Sequence, residues 1–232
     1  MKETKDFYDN SYIQEKCAAQ RRWPNEEFCR FMGRNFFCIK QEERKDVKIL
    51  EVGCGTGANL RVLVDEGFDA YGMDFSRNAL DLVKYIVKSD DVCLFEGDMT
   101  DFLYKENYFD AIVDVFSSFC LDEKGFSKMV DSLYANLKAG GKFFSYTPSK
   151  GSDIFIETKD EDKVDSSTLD GIKRESAPYY GNDYPFRFFG KNEITSYFDS
   201  VHWKINFCET VGRTYRNGEE YFEYIVFEVE KI

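Results

Sequence analysis

Three glycines at alternate positions, Gly53, Gly55 and Gly57, constrain this chain more than any other feature. They follow the apolar run 47–52 and precede Ala58-Asn59-Leu60-Arg61-Val62-Leu63-Val64, whose apolar spacing is that of a helix. The pattern predicts a strand, a glycine turn and a helix. Such a turn presents backbone without side chains at the positive end of a helix dipole, so a ligand can lie directly against the main chain. Glu51 places a carboxylate just before the turn. A phosphate would be repelled there; hydroxyl and ammonium groups suit the position better.

Around this turn the chain alternates. Strands are predicted at 47–52, 69–73, 92–96, 109–116 and 141–147, with helices at 57–66, 76–88 and 123–137. That order implies a parallel sheet covered on both faces and linked by right-handed crossovers. Upstream, residues 5–45 read as helical with a break at Trp23-Pro24, after which Asn25 caps a segment carrying Phe28, Phe31, Met32 and Phe36 at helical spacing. Downstream, a short helix at 191–198 precedes two runs, 202–211 and 221–230. Their junction, Arg216-Asn217-Gly218, predicts an antiparallel hairpin. The expected fold is therefore a doubly wound, Rossmann-like α/β sheet of seven strands in a single domain. Within it, 1–45 forms a helical cap, 46–147 the core, 148–190 an insertion after the fifth strand, and 191–232 the final helix and hairpin. The insertion has no clean period, and its acidic stretch at 159–163 reads as an exposed turn.

Composition narrows the partners. With 232 residues and 17% aromatics, the chain can bury a full core unaided. A net charge of -12 opposes a nucleic-acid substrate, whose phosphates need a basic surface. The seven cysteines (17, 29, 38, 54, 93, 120 and 208) include no C-x-x-C pair. They predict neither a metal nor a redox centre, and read as small buried hydrophobes in a reducing compartment. No stretch approaches the ~20 apolar residues of a membrane span, and the N-terminus opens on charges. The expected location is cytoplasmic, away from membranes.

The run Glu51-Val52-Gly53-Cys54-Gly55-Thr56-Gly57 resembles motif I of the class I S-adenosylmethionine-dependent methyltransferases. Three further features follow in the order of that family. Asp74 ends the second strand, 21 residues beyond Gly53, where a carboxylate at the sheet's carboxyl edge meets a nucleotide ribose. Gly97-Asp98-Met99 follows the third strand, and Phe109-Asp110-Ala111-Ile112 opens the fourth. The continuation Phe116-Ser117-Ser118 is similar to that of small-molecule members, including those acting on nucleotide-linked amino sugars. Some of those carry a histidine shortly afterwards, where this chain has Phe119 and Cys120. The resemblance spans roughly residues 47–147. It implies S-adenosylmethionine as cofactor and S-adenosylhomocysteine as product, bound by Glu51, Gly53, Cys54 and Gly55. Asp74 would take both ribose hydroxyls beside Phe75, Asp98 the adenine amino group, and Met99 one face of the ring. Val115 and Phe116 would add to the cofactor site, with Tyr12 in the N-terminal segment that closes over it, and Arg21, Arg22 and Trp23 before the proline break could reach the cofactor carboxylate and cover the site.

The implied reaction is in-line methyl transfer to oxygen or nitrogen of a small metabolite, which needs alignment and exclusion of water. Candidates for a catalytic group are Tyr12 and the only histidine, His202. Candidates for the acceptor are Ser117 and, from the insertion, Tyr179, Tyr180 and Arg187; aromatics with one guanidinium suit a planar or anionic metabolite such as a nucleotide-linked sugar. Two other functions compete. One is a non-catalytic S-adenosylmethionine-binding regulatory module on the same fold. The other is an NAD-dependent oxidoreductase, since Gly53, Gly55 and Ala58 formally satisfy G-x-G-x-x-G/A. In the latter Glu51 would face a pyrophosphate and Asp98 would have no role.

Overall fold

The computed structural model describes residues 2–232. Two helices come first, α1 (Lys2–Glu15) and α2 (Glu26–Asn35). Then β1 (Lys48–Val52), α3 (Leu60–Asp65), β2 (Asp69–Asp74), α4 (Arg77–Val87), β3 (Val92–Glu96), β4 (Phe109–Val115), α5 (Glu123–Asn136) and β5 (Leu137–Pro148) alternate as predicted. Next come α6 (Asp153–Glu157), the short strands β6 (Lys163–Asp165), β7 (Thr168–Asp170) and β8 (Pro185–Arg187), and α7 (Lys191–Tyr197). The long strands β9 (Trp203–Tyr215) and β10 (Glu220–Lys231) finish the chain.

Seven strands form one sheet in the order β3-β2-β1-β4-β5-β10-β9. The first five are mutually parallel, and β10 runs antiparallel to both β5 and β9. The predicted hairpin is present. Arg216, Asn217 and Gly218 all take positive φ there, which is the conformational demand behind the Asn-Gly signal.

Helix ends are fixed by the residues that predicted them. Asn25 caps α2 by accepting the N–H groups of Glu27 and Phe28, and Ser76 caps α4 through the N–H of Ala79. Phe28, Phe31 and Met32 then bury the inner face of α2, with Phe31 stacked on Phe144 of β5 at 4.8 Å. Alternation along the strands splits the core in two. Leu50, Ile112 and Phe143 face α5 and α7, while Ile49, Val113 and Phe144 face α2, α3 and α4.

The insertion is more ordered than its sequence suggests. Strands β6, β7 and β8 make a small antiparallel sheet. It is fastened to the main sheet by a third core in which Tyr184, Phe186 and Phe188 pack with Phe119 and Phe222, all fully or almost fully buried. Each such side chain contributes on the order of 1.5–3 kcal/mol of burial, enough to hold a segment that lacks periodicity of its own. The acidic stretch is exposed, with a short 3-10 turn at Asp160–Asp162. The cysteines depart from expectation: Cys54 and Cys208 are buried, but Cys38 and Cys93 are exposed, and all seven are free. Among the described residues, no helix is long and apolar enough to cross a membrane.

Candidate functional site

The carboxyl ends of β1, β2, β3 and β4 meet beneath α1. Gly53 and Gly55 leave β1 with φ of 65° and 53°, a region that a branched side chain enters only with strain. Both are also needed for space. A Cβ on Gly53 would lie 2.3 Å from the Cβ of Ser117, and one on Gly55 would lie 1.9 Å from Oε1 of Gln20. Asp74, at the end of β2, holds this turn: its carboxylate accepts the N–H of Gly55 at 2.8 Å and that of Ser76 at 2.9 Å.

Two large cavities open on either side of the turn. One, of about 690 Å³, is walled by Met73, Asp74, Phe75, Asp98 and Met99, with Lys5 of α1 above. The other, of about 520 Å³, is walled by Glu51, Phe116, Tyr146, Tyr179, Asn182 and Arg21. A neck of about 40 Å³ lies between them, lined by Tyr12, Gln20, Asp74, Phe116, Ser117 and Cys120. Gly53 lines all three spaces.

Buried carboxylates set the electrostatics. Glu51 is 2% exposed; one oxygen accepts the side-chain N–H of Asn59 at 2.6 Å, and Oε2 has no partner. Burial pushes its pKa up to about 8, against the pull of Arg21 and Asn59. Asp74 rises to about 6, again through burial and against its two backbone donors. Burial also raises the phenol of Tyr8 and the thiol of Cys120 to about 12, and raises Tyr12 and Cys54 as well. Around the neck, the phenols and thiols are therefore neutral, and the two carboxyls are the groups poised near neutrality.

The residues fit the implied cofactor. An unpartnered buried carboxylate oxygen on Glu51 suits an ammonium group, and the bare backbone at Gly53 and Gly55 admits close approach. Asp98 is partly exposed in the wall of the larger cavity; one of its oxygens accepts both the N–H and the hydroxyl of Thr100 at 2.8 Å. Met99 and Phe75 supply apolar surface on either side.

Several candidates lie elsewhere. His202 is exposed, paired with Asp199, and sits where β9 begins, at the amino edge of the sheet. Its carbonyl accepts the N–H of Ile232 at the end of β10, so it cannot reach the neck. Arg187 is 2% exposed and bound to Glu193 and the hydroxyl of Tyr197 on α7, and it lines none of these cavities. The arginine that does line the second cavity is Arg21. Arg22 and Trp23 point to solvent, and Trp23 stacks on Arg61. Tyr180 is likewise exposed. Ser117 does line the neck, but its hydroxyl is engaged with Asp114 and with the carbonyl of Val52, tying β4 to β1.

By contrast Tyr12, Cys54, Val115, Phe116 and Tyr179 all line the neck or the second cavity. Phe116 does so with φ of 62°, an uncommon conformation for an aromatic residue, and stacks on Tyr179 at 4.7 Å. Gln20, Tyr8, Tyr146 and Cys120 were not legible as site residues. The local signal nearest to them was the Phe7-Tyr8 aromatic pair of α1; nothing in sequence marks Gln20.

Comparison with known proteins gives a consistent outcome. Residues 49–141 match the methyltransferase-domain family. No curated protein is a significant match by sequence. Among solved structures, a SAM-dependent methyltransferase from Methanosarcina mazei is similar at 16% identity, with a TM-score of 0.68 over 80% of this chain and 92% of that one. Another from Anabaena variabilis is similar at 12% identity and a TM-score of 0.68, covering all of this chain and 94% of that one. A third, from Mesorhizobium loti, is similar at 12% identity and a TM-score of 0.58, over 79% and 90%. At these identities the structural likeness is one of fold.

Proposed function

We propose that this chain, a class I S-adenosylmethionine-dependent methyltransferase, transfers its methyl group to oxygen or nitrogen of a small metabolite held in the aromatic-walled cavity. The methyltransferase-domain match supports this reading over the regulatory-module and NAD readings. The observation carrying the acceptor reading is the neck. It joins a space suited to a nucleoside with one suited to a second molecule, and its narrowness favours direct transfer between them.

In this reading Glu51 and the amides of the glycine turn hold the amino-acid end of the cofactor, and Asp74 takes the ribose hydroxyls. Asp98 receives the adenine amino group, with Met99 and Phe75 against the ring. The cofactor's sulfonium supplies an already activated methyl, so the protein's share is orientation and dryness. Phe116 and Tyr179, stacked together, and Tyr146, stacked on Tyr224 at 4.5 Å, give the acceptor flat apolar walls. Arg21 offers one cation, which keeps a nucleotide-linked sugar within the range of acceptors, although the anchor expected from Arg187 is absent. The acidic balance of the chain favours metabolites over nucleic acid, and we place the enzyme in the cytoplasm.

The test is methyl transfer from labelled S-adenosylmethionine into a fractionated metabolite extract, with RNA and DNA as parallel substrates. Label should enter a small-molecule fraction, and Tyr179→Ala should lower that signal. Efficient labelling of either nucleic acid would overturn the acceptor reading.

A further inference from the structure

Gln20 occupies the glycine turn more intimately than a neighbouring wall residue would. It lies in the irregular segment between α1 and α2, yet its carboxamide reaches directly over Gly55. The Oε1 and Nε2 atoms lie 1.9 and 2.8 Å from where a Cβ on Gly55 would stand. The same Oε1 faces the N–H of Thr56 at 3.4 Å, a long contact. The carboxamide nitrogen donates to the hydroxyl of Tyr12. An oxygen acceptor thus sits over the turn's amides, where the planar carboxylate of an amino acid would be received, and its other end holds the phenol that lines the neck. Tyr12 is 3% exposed, and Asp74 and Phe116 share that neck with it.

We propose that Gln20 is a displaceable plug that stands in for the amino-acid end of the cofactor. Cofactor entry removes its carboxamide from the turn and thereby releases the Tyr12 hydroxyl into the neck. The two molecules cannot share the space above Gly55, since Oε1 lies 1.9 Å from the point where a Cβ on Gly55 would stand. Gln20 engages the oxygen lone pair of Tyr12, so its departure frees an acceptor site beside an O–H that burial keeps protonated, and both face the place where the acceptor arrives. The sequence of events is then fixed. Cofactor binds first, against the plug, and the acceptor meets a neck whose polar group has been uncovered. Gln20 is a positioning residue in this scheme, acting through Tyr12.

The inference rests on the cofactor lying at the glycine turn, and calorimetry with S-adenosylhomocysteine separates the two. Gln20→Ala removes the plug and should tighten binding about threefold to tenfold, the scale of one neutral hydrogen bond and its competing contact. Tyr12→Phe removes only the plug's tether and should tighten binding by less. Hydrogen exchange over residues 16–25 should rise when the wild-type protein binds the nucleoside and should already be high in Gln20→Ala. Unchanged or weaker binding by Gln20→Ala would overturn the plug, because a Gln20 that contacts the cofactor must cost affinity when removed. If the wild type itself fails to bind S-adenosylhomocysteine, the cofactor placement falls and the plug with it.

Discussion

Apart from Thr4 and Lys5 of α1 and Cys120, the nucleoside-side cavity is made by residues from Gly53 to Met99 at the ends of three neighbouring strands. The acceptor-side cavity draws on α1, the segment before α2, the strand ends at Tyr146 and Phe116, and the insertion at Tyr179 and Asn182. The first relies on backbone: the bare Gly53, and N–H groups bound by Asp74. The second relies on side-chain surfaces, chiefly stacked rings. Backbone geometry tolerates few residue types, so changes in the first region should be severe and specific. Ring surfaces can be rebuilt in several ways, so changes in the second should be graded. The difference separates a constraint shared by anything that binds this cofactor from one that belongs to the acceptor alone.

The largest expected effect is at the turn. Gly55→Val adds a branched side chain at φ of 53° against the space above the turn. It should abolish calorimetric binding of S-adenosylhomocysteine at concentrations that saturate wild type; retained binding would place the cofactor elsewhere. Asp74→Ala comes next, with a loss of about 1–3 kcal/mol in cofactor affinity, because both the ribose acceptor and the anchor for the Gly55 N–H disappear. Wild-type affinity in that variant would break the comparison on its nucleoside side.

On the acceptor side, Tyr179→Ala should lower kcat/KM for the acceptor about tenfold and move cofactor affinity by less than about twofold. Arg187→Ala supplies the contrast. It breaks a buried pair with Glu193, so its melting temperature should fall, while transfer per folded molecule stays at the wild-type rate. Equal losses of transfer in both variants would mean that the insertion acts as one unit and not through its cavity face.

The effect farthest from binding is a pH dependence of stability. Glu51 is raised from 4.5 to about 8 and Asp74 from 3.8 to about 6, each by burial. For acids raised in the folded state the protonated form favours folding. That contribution is complete below about pH 4 and is lost as pH climbs through about 6 for Asp74 and about 8 for Glu51. Melts of the cofactor-free protein should therefore show Tm falling between about pH 5 and about pH 8, with Glu51→Gln flattening the upper part. Parallel slopes for wild type and variant would show that Glu51 is not the group responsible.

What could be read in advance follows the same division. Strands β1 to β4 and helices α2, α4 and α5 announced themselves because period, cap and glycine signals are local, and the Asn217-Gly218 turn fixed the final hairpin. The small sheet of the insertion did not, because three-residue strands carry no period and their burial comes from Phe119 and Phe222, distant in sequence. Arg187 was misplaced for the same reason. A guanidinium among tyrosines looks like an anion site until the fold supplies Glu193 as its partner. His202 looked chemical only because it is unique, and the antiparallel return of β10 puts it at the wrong edge. Gln20 was invisible because its meaning depends on Gly55, 35 residues later and without a side chain to pair with.

Helix α1 reaches over both cavities. Lys5 borders the nucleoside side, Phe7 and Tyr8 the other, and Tyr12 the passage between. It is moored to α4 by Asp9, whose carboxylate accepts from Ser76 and Asn78, and to the insertion by the 3.0 Å hydrogen bond between the hydroxyls of Tyr8 and Tyr184. A single rigid roof over two rooms makes their occupants thermodynamic neighbours even where they never touch. In the order proposed above, whatever the cofactor imposes on that helix is in place when the acceptor arrives, and reciprocity would then have the acceptor strengthen cofactor binding by the same factor.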